Sequence, residues 1–174
     1  MRKRVFCYLL TALVVVFLTT IASAHGEEEN SPIFGNLEIL LLALTLSLGG
    51  FLLTMKKYSQ KMTVFSTYTF SFALYTGSVH VLLGLKSGIL LIGGFGVLGI
   101  LAAPIFFSLN ERMRRGARTS LAVVSIFMFI AYFVSNHDIH SLLEDYLGIT
   151  TKISEIGVVI SLFNSGKKTH PEDE

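Results

Sequence analysis

Long apolar stretches separated by short polar ones make up most of this chain. Beyond residue 33, four such stretches are long enough to cross a membrane: residues 34–55, 62–85, 88–109 and 119–135. About 20 apolar residues cross the hydrocarbon core as a helix, and lipid offers no partner to free backbone groups. The pattern therefore predicts an all-α membrane protein with a four-helix transmembrane bundle over residues 34–135.

The first 24 residues have the three regions of a secretory signal. A basic run at residues 2–4 precedes an apolar core, and Ala22-Ser23-Ala24 is a small-x-small cleavage site. We therefore expect residues 1–24 to be a cleaved signal peptide, His25 to be the first mature residue, and residues 25–33 to form an outer acidic tail. The alternative is an uncut signal that remains as an extra helix.

The basic residues predict the orientation of the bundle. Ten of the 14 lysines and arginines flank the signal or fall in two of the polar breaks: Arg2, Lys3, Arg4, Lys56, Lys57, Lys61, Arg112, Arg114, Arg115 and Arg118. The positive-inside rule makes these segments cytoplasmic. We therefore expect a multi-pass protein of the cell membrane with its mature N-terminus outside and with residues 56–61 and 110–118 as cytoplasmic loops.

Two further segments follow the predicted bundle. Residues 136–148 have the apolar spacing of an amphipathic helix, with Gly148 as its C-cap, so we expect an outer helix lying in the membrane interface. Residues 149–174 are predicted to form a short helix and a polar tail, because Lys152 and Glu155 shorten the apolar run. If that segment crosses instead, Lys167 and Lys168 fall on the cytoplasmic side.

Small and polar residues share one face of the second predicted span and recur in the third. The second span carries Ser66, Thr69, Ala73, Gly77, His80 and Gly84 at helical spacing, and the third carries Gly93, Gly94, Gly96, Gly99, Ala102 and Ala103. Small residues let neighbouring helices approach closely. We therefore expect these two spans to pack together, with His80 facing the bundle about one turn below the outer surface.

Four histidines and a glutamate are the candidate metal ligands. After cleavage, His25 would offer both its α-amine and its imidazole, while His137, His140 and Glu144 are spaced to share one helix face. Nitrogen donors of this kind suit copper, with nickel and zinc as alternatives. His80 would lie on the same outer side. The competing interpretation is a processed terminus and a solvated polar face, with His80 in a separate role.

Two segments of the chain resemble parts of known metal-handling proteins. An exported N-terminal histidine resembles that of copper proteins, including copper-dependent monooxygenases. Residues 77–91, GSVHVLLGLKSGILL, resemble part of the accessory nickel permeases of hydrogenase and urease systems, with Gly77, His80 and Gly84 matching the motif. Lys86-Ser87 stands where that family has Asp-His. The resemblance implies a divalent-metal permease with His80 on its path.

Composition narrows the functions to consider. Only 15% of the residues are charged, against about 25% in soluble domains, so no large soluble domain accompanies the spans. The single cysteine, Cys7, lies in the export segment, which excludes disulfides and thiolate metal sites from the mature chain. No nucleophile–base pair or nucleotide-binding loop is recognisable, so we expect no enzyme.

The expected function is metal binding or delivery by an outward-facing His/carboxylate site, with copper as the favoured ion. One alternative is a non-catalytic structural or assembly subunit of a larger membrane complex, such as a copper-dependent membrane oxidase or monooxygenase. Another is a small divalent-metal permease. The expected partners are the lipid bilayer, other membrane subunits and a divalent metal ion, and no nucleic acid.

Overall fold

The computed structural model describes residues 34–55, 64–85, 88–135 and 145–166. These residues form five helices and no strand: α1 (Asn36–Met55), α2 (Thr67–Gly84), α3 (Gly88–Phe106), α4 (Glu111–Ser135) and α5 (Tyr146–Gly166). The chain divides into two compact units, Met1–Glu38 and Ile39–Glu174. In the first unit, the amide of Gly35 donates to the Glu38 carboxylate at 3.1 Å. Every contact described below lies in the second unit.

The predicted all-α membrane bundle is confirmed. Four helices are long and apolar enough to cross a membrane, namely α1, α3, α4 over Glu111–Val134 and α5 over Tyr146–Ser165. Large apolar side chains point away from the bundle, among them Ile89 (83% exposed) on α3 and Phe127 (70%) on α4. Such a surface suits a lipid bilayer, where outward apolar side chains carry no cost.

α2 is the central helix and is not among those four. Its polar side chains Thr69, Thr76 and His80 are buried against other helices. A helix enclosed in this way faces little lipid, so its polar side chains can form hydrogen bonds with neighbouring helices. Ser66 caps its start, since the Ser66 hydroxyl accepts the Thr69 amide at 3.1 Å. The helix therefore begins later than residue 62, where the predicted span started.

Backbone-to-backbone contact joins α2 to α3, as the small residues predicted. A Cβ added at Gly94 would lie 2.6 Å from the backbone nitrogen of Val81, and a Cβ at Gly84 would collide with the backbone of Leu91. By contrast, a Cβ at Gly96 or Gly99 would meet nothing within 4 Å. Only part of the small-residue face of α3 therefore serves this packing.

α4 begins earlier than predicted. The predicted span started at residue 119, whereas the helix starts at Glu111, with the Asn110 side chain accepting the Met113 amide at 2.8 Å. The predicted loop over residues 110–118 is therefore largely helical. Arg118 in this segment donates to the Leu162 carbonyl at 3.0 Å and so ties α4 to the last turns of α5.

α5 corrects the interpretation of the C-terminal region. Gly148, predicted to end a helix, lies in the first turn of α5, where its amide donates to the Asp145 carboxylate at 2.8 Å. The segment after residue 148 is not a short helix but part of a 21-residue helix that is a candidate span. The helix is longer than predicted, and Lys152 and Glu155, which were expected to shorten the apolar run, bury their charges against each other. The interfacial helix expected before residue 145 lies outside the described residues.

Side-chain pairs fix the helix directions. Thr69 on α2 meets Ser161 on α5 at 2.8 Å, and Tyr75 meets Thr150 at 2.9 Å, so α2 and α5 are antiparallel. Ser47 on α1 and Ser71 on α2 pair at 2.8 Å. The carboxyl ends of α2 and α4 and the amino ends of α3 and α5 consequently lie at one end of the bundle, which we call the His80 end.

An apolar core fills the bundle and extends to the end that lies opposite the His80 end. It consists of Val64, Phe65, Ala73, Val97, Leu101, Leu121, Met128, Val158 and Leu162. Nearer the His80 end, buried apolar side chains such as Val79 and Leu147 lie beside buried polar ones.

Candidate functional site

Three ionisable side chains are buried together near the His80 end. His80 on α2 is 6% exposed, and Lys152 and Glu155 on α5 are 6% and 1% exposed. We call these three residues the buried ionisable cluster. Ionisable side chains inside a membrane are costly and are paired with one another, and they mark functional sites by default.

The Lys152 ammonium group donates three hydrogen bonds. Its Nζ donates to both oxygens of Glu155, at 2.8 and 2.7 Å, and to the Met128 carbonyl of α4 at 3.0 Å. The same nitrogen lies 5.0 Å from the centre of the Tyr132 ring, a cation–π contact. An ammonium group has three donors, so hydrogen bonding is complete and the charge is compensated.

Glu155 links its own helix, α5, to α2. Its Oε1 atom accepts from the Thr76 hydroxyl at 3.3 Å as well as from Lys152. The same oxygen lies 3.7 Å from Nε2 of His80. One carboxylate oxygen thus faces a cation, a hydroxyl donor and an imidazole nitrogen.

The position of the His80 ring follows from the backbone of α2. Its Nδ1 atom lies 2.9 Å from the Thr76 carbonyl, one turn earlier on the helix. Because a carbonyl can only accept, Nδ1 carries the hydrogen of this bond. Nε2 is then the nitrogen of the neutral ring that can take up a proton, and it is directed at Glu155.

A second polar contact joins α4 to the start of α5 at the His80 end. The Tyr132 hydroxyl donates to one oxygen of Asp145 at 2.9 Å, while the other oxygen caps α5 through Gly148. Since the Tyr132 ring also faces Lys152, the tyrosine connects the buried ionisable cluster to the start of α5.

The described residues do not assemble a metal centre. Within residues 34–55, 64–85, 88–135 and 145–166, no group of three or more His, Cys, Asp or Glu side chains could hold a metal ion. His80 and Glu155 supply two donors, and the ammonium of Lys152 beside them opposes a divalent cation.

Of the five predicted ligands, only His80 lies in the described part of the chain. As predicted, it faces the bundle, but its partner is Glu155. His25, His137, His140 and Glu144 lie outside the described residues. The metal site expected among them stays a prediction.

Sequence reasoning missed Lys152 and Glu155 as site residues and treated them as interruptions. The available signal was their spacing: a Lys and a Glu three residues apart share a helix face and can neutralise each other within an apolar run. No family model, curated protein or solved structure matches this chain. The cluster must therefore be interpreted from its own geometry.

Proposed function

We propose that this chain is a small, exported multi-pass protein of the cell membrane with a metal site on its outer side, acting in metal binding or delivery. Copper is the favoured ion, with nickel and zinc as alternatives. The supporting observation is the direction of the helices. Residues 136–144, which carry His137, His140 and Glu144, connect the ends of α4 and α5 that meet at the His80 end.

The proposed orientation follows from charge. Asp145 is held to α4 by Tyr132, so the connection starts and ends at the His80 end. Arg118 and the other arginines of α4 belong to the opposite end, which the positive-inside rule makes cytoplasmic. If α2 crosses together with the four candidate spans, the mature N-terminus lies outside, and Lys167 and Lys168 lie inside.

Direct Cu(II) binding tests the proposal. The protein, purified in mild detergent, should bind one Cu(II) through nitrogen ligands, as read by electron paramagnetic resonance. The double variant His137→Ala, His140→Ala should lose this signal, and a residue added before His25 should weaken it. His170→Ala is the matched control and should bind as the unaltered chain does. Equal Cu(II) binding by the unaltered chain and the double variant would contradict the proposal.

A small permease is the second candidate, and the buried ionisable cluster favours it. Intramembrane ionisable residues commonly line ion pathways. Metal uptake into proteoliposomes that His80→Ala abolishes, while outer Cu(II) binding persists, would support this function. Purified protein that neither binds nor transports metal, and that brings other membrane chains with it, would instead indicate the structural or assembly subunit.

A further inference from the structure

We propose that His80 and Glu155 form a proton-binding site inside the bundle, in which Nε2 of His80 takes up the proton, Glu155 stabilises the resulting charge, and Lys152 remains a fixed positive charge. This site is distinct from the proposed metal site, because it uses none of the residues 25, 137, 140 and 144.

The hydrogen bond to Thr76 selects the atom that accepts the proton. Nδ1 already carries a hydrogen that it donates to the Thr76 carbonyl at 2.9 Å. Nε2 retains its lone pair and lies 3.7 Å from Oε1 of Glu155, beyond the usual range of a hydrogen bond. Transfer of a proton from hydronium to Nε2 forms one N–H bond, releases water and converts this contact into an ion pair.

The charges around His80 make one added proton tolerable. Lys152 and Glu155 sum to zero, so the cluster with neutral His80 carries no net charge. Glu155 then faces the new imidazolium, whereas Lys152 opposes it. Since Oε1 of Glu155 is already directed at Nε2, the carboxylate needs only a small movement to form the charge-assisted bond.

Among the described residues, few other ionisable groups face this site. Tyr75 belongs to α2, Tyr132 to α4, and Asp145 precedes α5. α3 contains no Asp, Glu, Lys, Arg or His, and α1 contains only Glu38, in its first turn. The protonation of His80 therefore depends chiefly on Glu155 and Lys152, which can be replaced individually.

The site is close to the His80 end. His80 precedes Gly84, the last residue of α2, by four positions, which is about 6 Å along the axis at the rise of an α-helix. A proton from water at this end would travel about one helical turn to reach Nε2.

Nitrogen NMR of the full chain in lipid nanodiscs tests the site. The protein is labelled with ¹⁵N-histidine, and the His80 signal among the five histidines is the one lost in His80→Asn. At neutral pH His80 should carry its hydrogen on Nδ1, and acidification should add one proton at Nε2. In Glu155→Gln the same change should need at least a tenfold higher proton concentration, because the amide cannot balance the charge.

Thr76→Val is the matched control, because it removes the hydroxyl that contacts Glu155 but keeps the carbonyl that holds Nδ1. It should change the titration less than Glu155→Gln does. A neutral His80 with its hydrogen on Nε2 would overturn the proposal, and so would an unchanged titration in Glu155→Gln. The first of these measurements uses the unaltered chain, so it stands even if the glutamine variant fails to fold.

Discussion

Lys152 and Glu155, three residues apart on α5, neutralise each other inside the bundle, with Nζ 2.7 Å from Oε2. Both side chains are almost fully buried, and the ammonium makes a further bond to the Met128 carbonyl of α4. The pair thereby joins α5 to α4, and Glu155 extends the connection to α2 through Thr76. Three helices are linked by two charges that apolar surroundings would otherwise exclude.

Removing one member of this pair should destabilise the protein more than removing both. Lys152→Met and Glu155→Leu each leave a buried group without its charged partner, at a cost of about 3–5 kcal/mol. The double variant Lys152→Met, Glu155→Leu should lie within about 2 kcal/mol of the unaltered chain, since apolar replacements of a buried pair are often neutral. Equilibrium unfolding in mixed detergent micelles measures all three.

Ile153→Ala is the matched control for these variants. Ile153 lies between the two charged residues but is 61% exposed, so its truncation should change the free energy of unfolding by less than about 1 kcal/mol. Single and double variants with costs that simply add would contradict the coupling, because residues in contact are expected to be non-additive.

The ion pair also explains which parts of the fold could be predicted. Uninterrupted apolar runs identified α1 and α3, and the small residues Gly77, Gly84 and Gly94 correctly predicted the packing of α2 on α3. α5 was predicted only as a short helix, with a crossing as the alternative, because a sequence read one residue at a time counts Lys152 and Glu155 as two isolated charges. Their spacing was the local signal of a pair, but the hydrogen bonds that complete their burial come from Met128 and Thr76, which lie on other helices and cannot be found from local patterns.

The candidate site was predictable only in part, for a similar reason. His80 stood out as an imidazole in an apolar run, and its inward position followed from the glycines around it. Its partner lies 75 residues further along the chain, and no local spacing connects the two. The direction of α5, fixed by pairs such as Thr69–Ser161, is what brings Glu155 to His80.

Close packing of α2 and α3 should distinguish two glycines of α3. In Gly94→Ala the new methyl group would press on the backbone of Val81 and on the Gly77 carbonyl, at 2.6 and 2.9 Å, and backbone cannot give way as a side chain can. We expect a destabilisation of about 1–3 kcal/mol, typical of overpacking.

Gly96→Ala provides the comparison, because its methyl group would meet nothing within 4 Å. Alanine favours the helix by up to about 1 kcal/mol over glycine, so this variant should be neutral or slightly more stable. Thermal unfolding in detergent measures both changes. Equal effects at the two positions would show that the α2–α3 contact is not as close as described.

Tyr132 should contribute through its hydroxyl and through its ring, and substitutions can separate the two. Tyr132→Phe removes the hydroxyl that donates to Asp145 but keeps a ring over Lys152, so we expect a loss of about 1–3 kcal/mol, the value of a hydrogen bond to a charged group. Tyr132→Leu also removes the ring, which contacts Lys152 and packs edge-on against Phe133, and should cost more. Unfolding of both variants, alone and combined with Asp145→Asn, tests this order. If phenylalanine and leucine behave alike, the ring adds nothing.

The last prediction concerns the crossing of α5. If α5 spans the membrane, the two segments that flank it lie on opposite sides, and the charge rule makes the side after Gly166 cytoplasmic because of Lys167 and Lys168. With Cys7 replaced by serine, a cysteine at Ser141 should react with an impermeant thiol reagent in intact cells. A cysteine at Thr169 should react only after permeabilisation.

A cysteine at Ser59, in the predicted cytoplasmic segment before α2, is the control for the inner side. Mass analysis of the labelled chain scores each position. Labelling of both the Ser141 and Thr169 variants in intact cells would place the two ends of α5 on the same side. It would then exclude α5 as a span. A Ser141 variant that is not labelled in intact cells would remove the outer side on which the metal proposal depends. Labelling of the Ser59 variant in intact cells would instead reverse the orientation of the whole bundle.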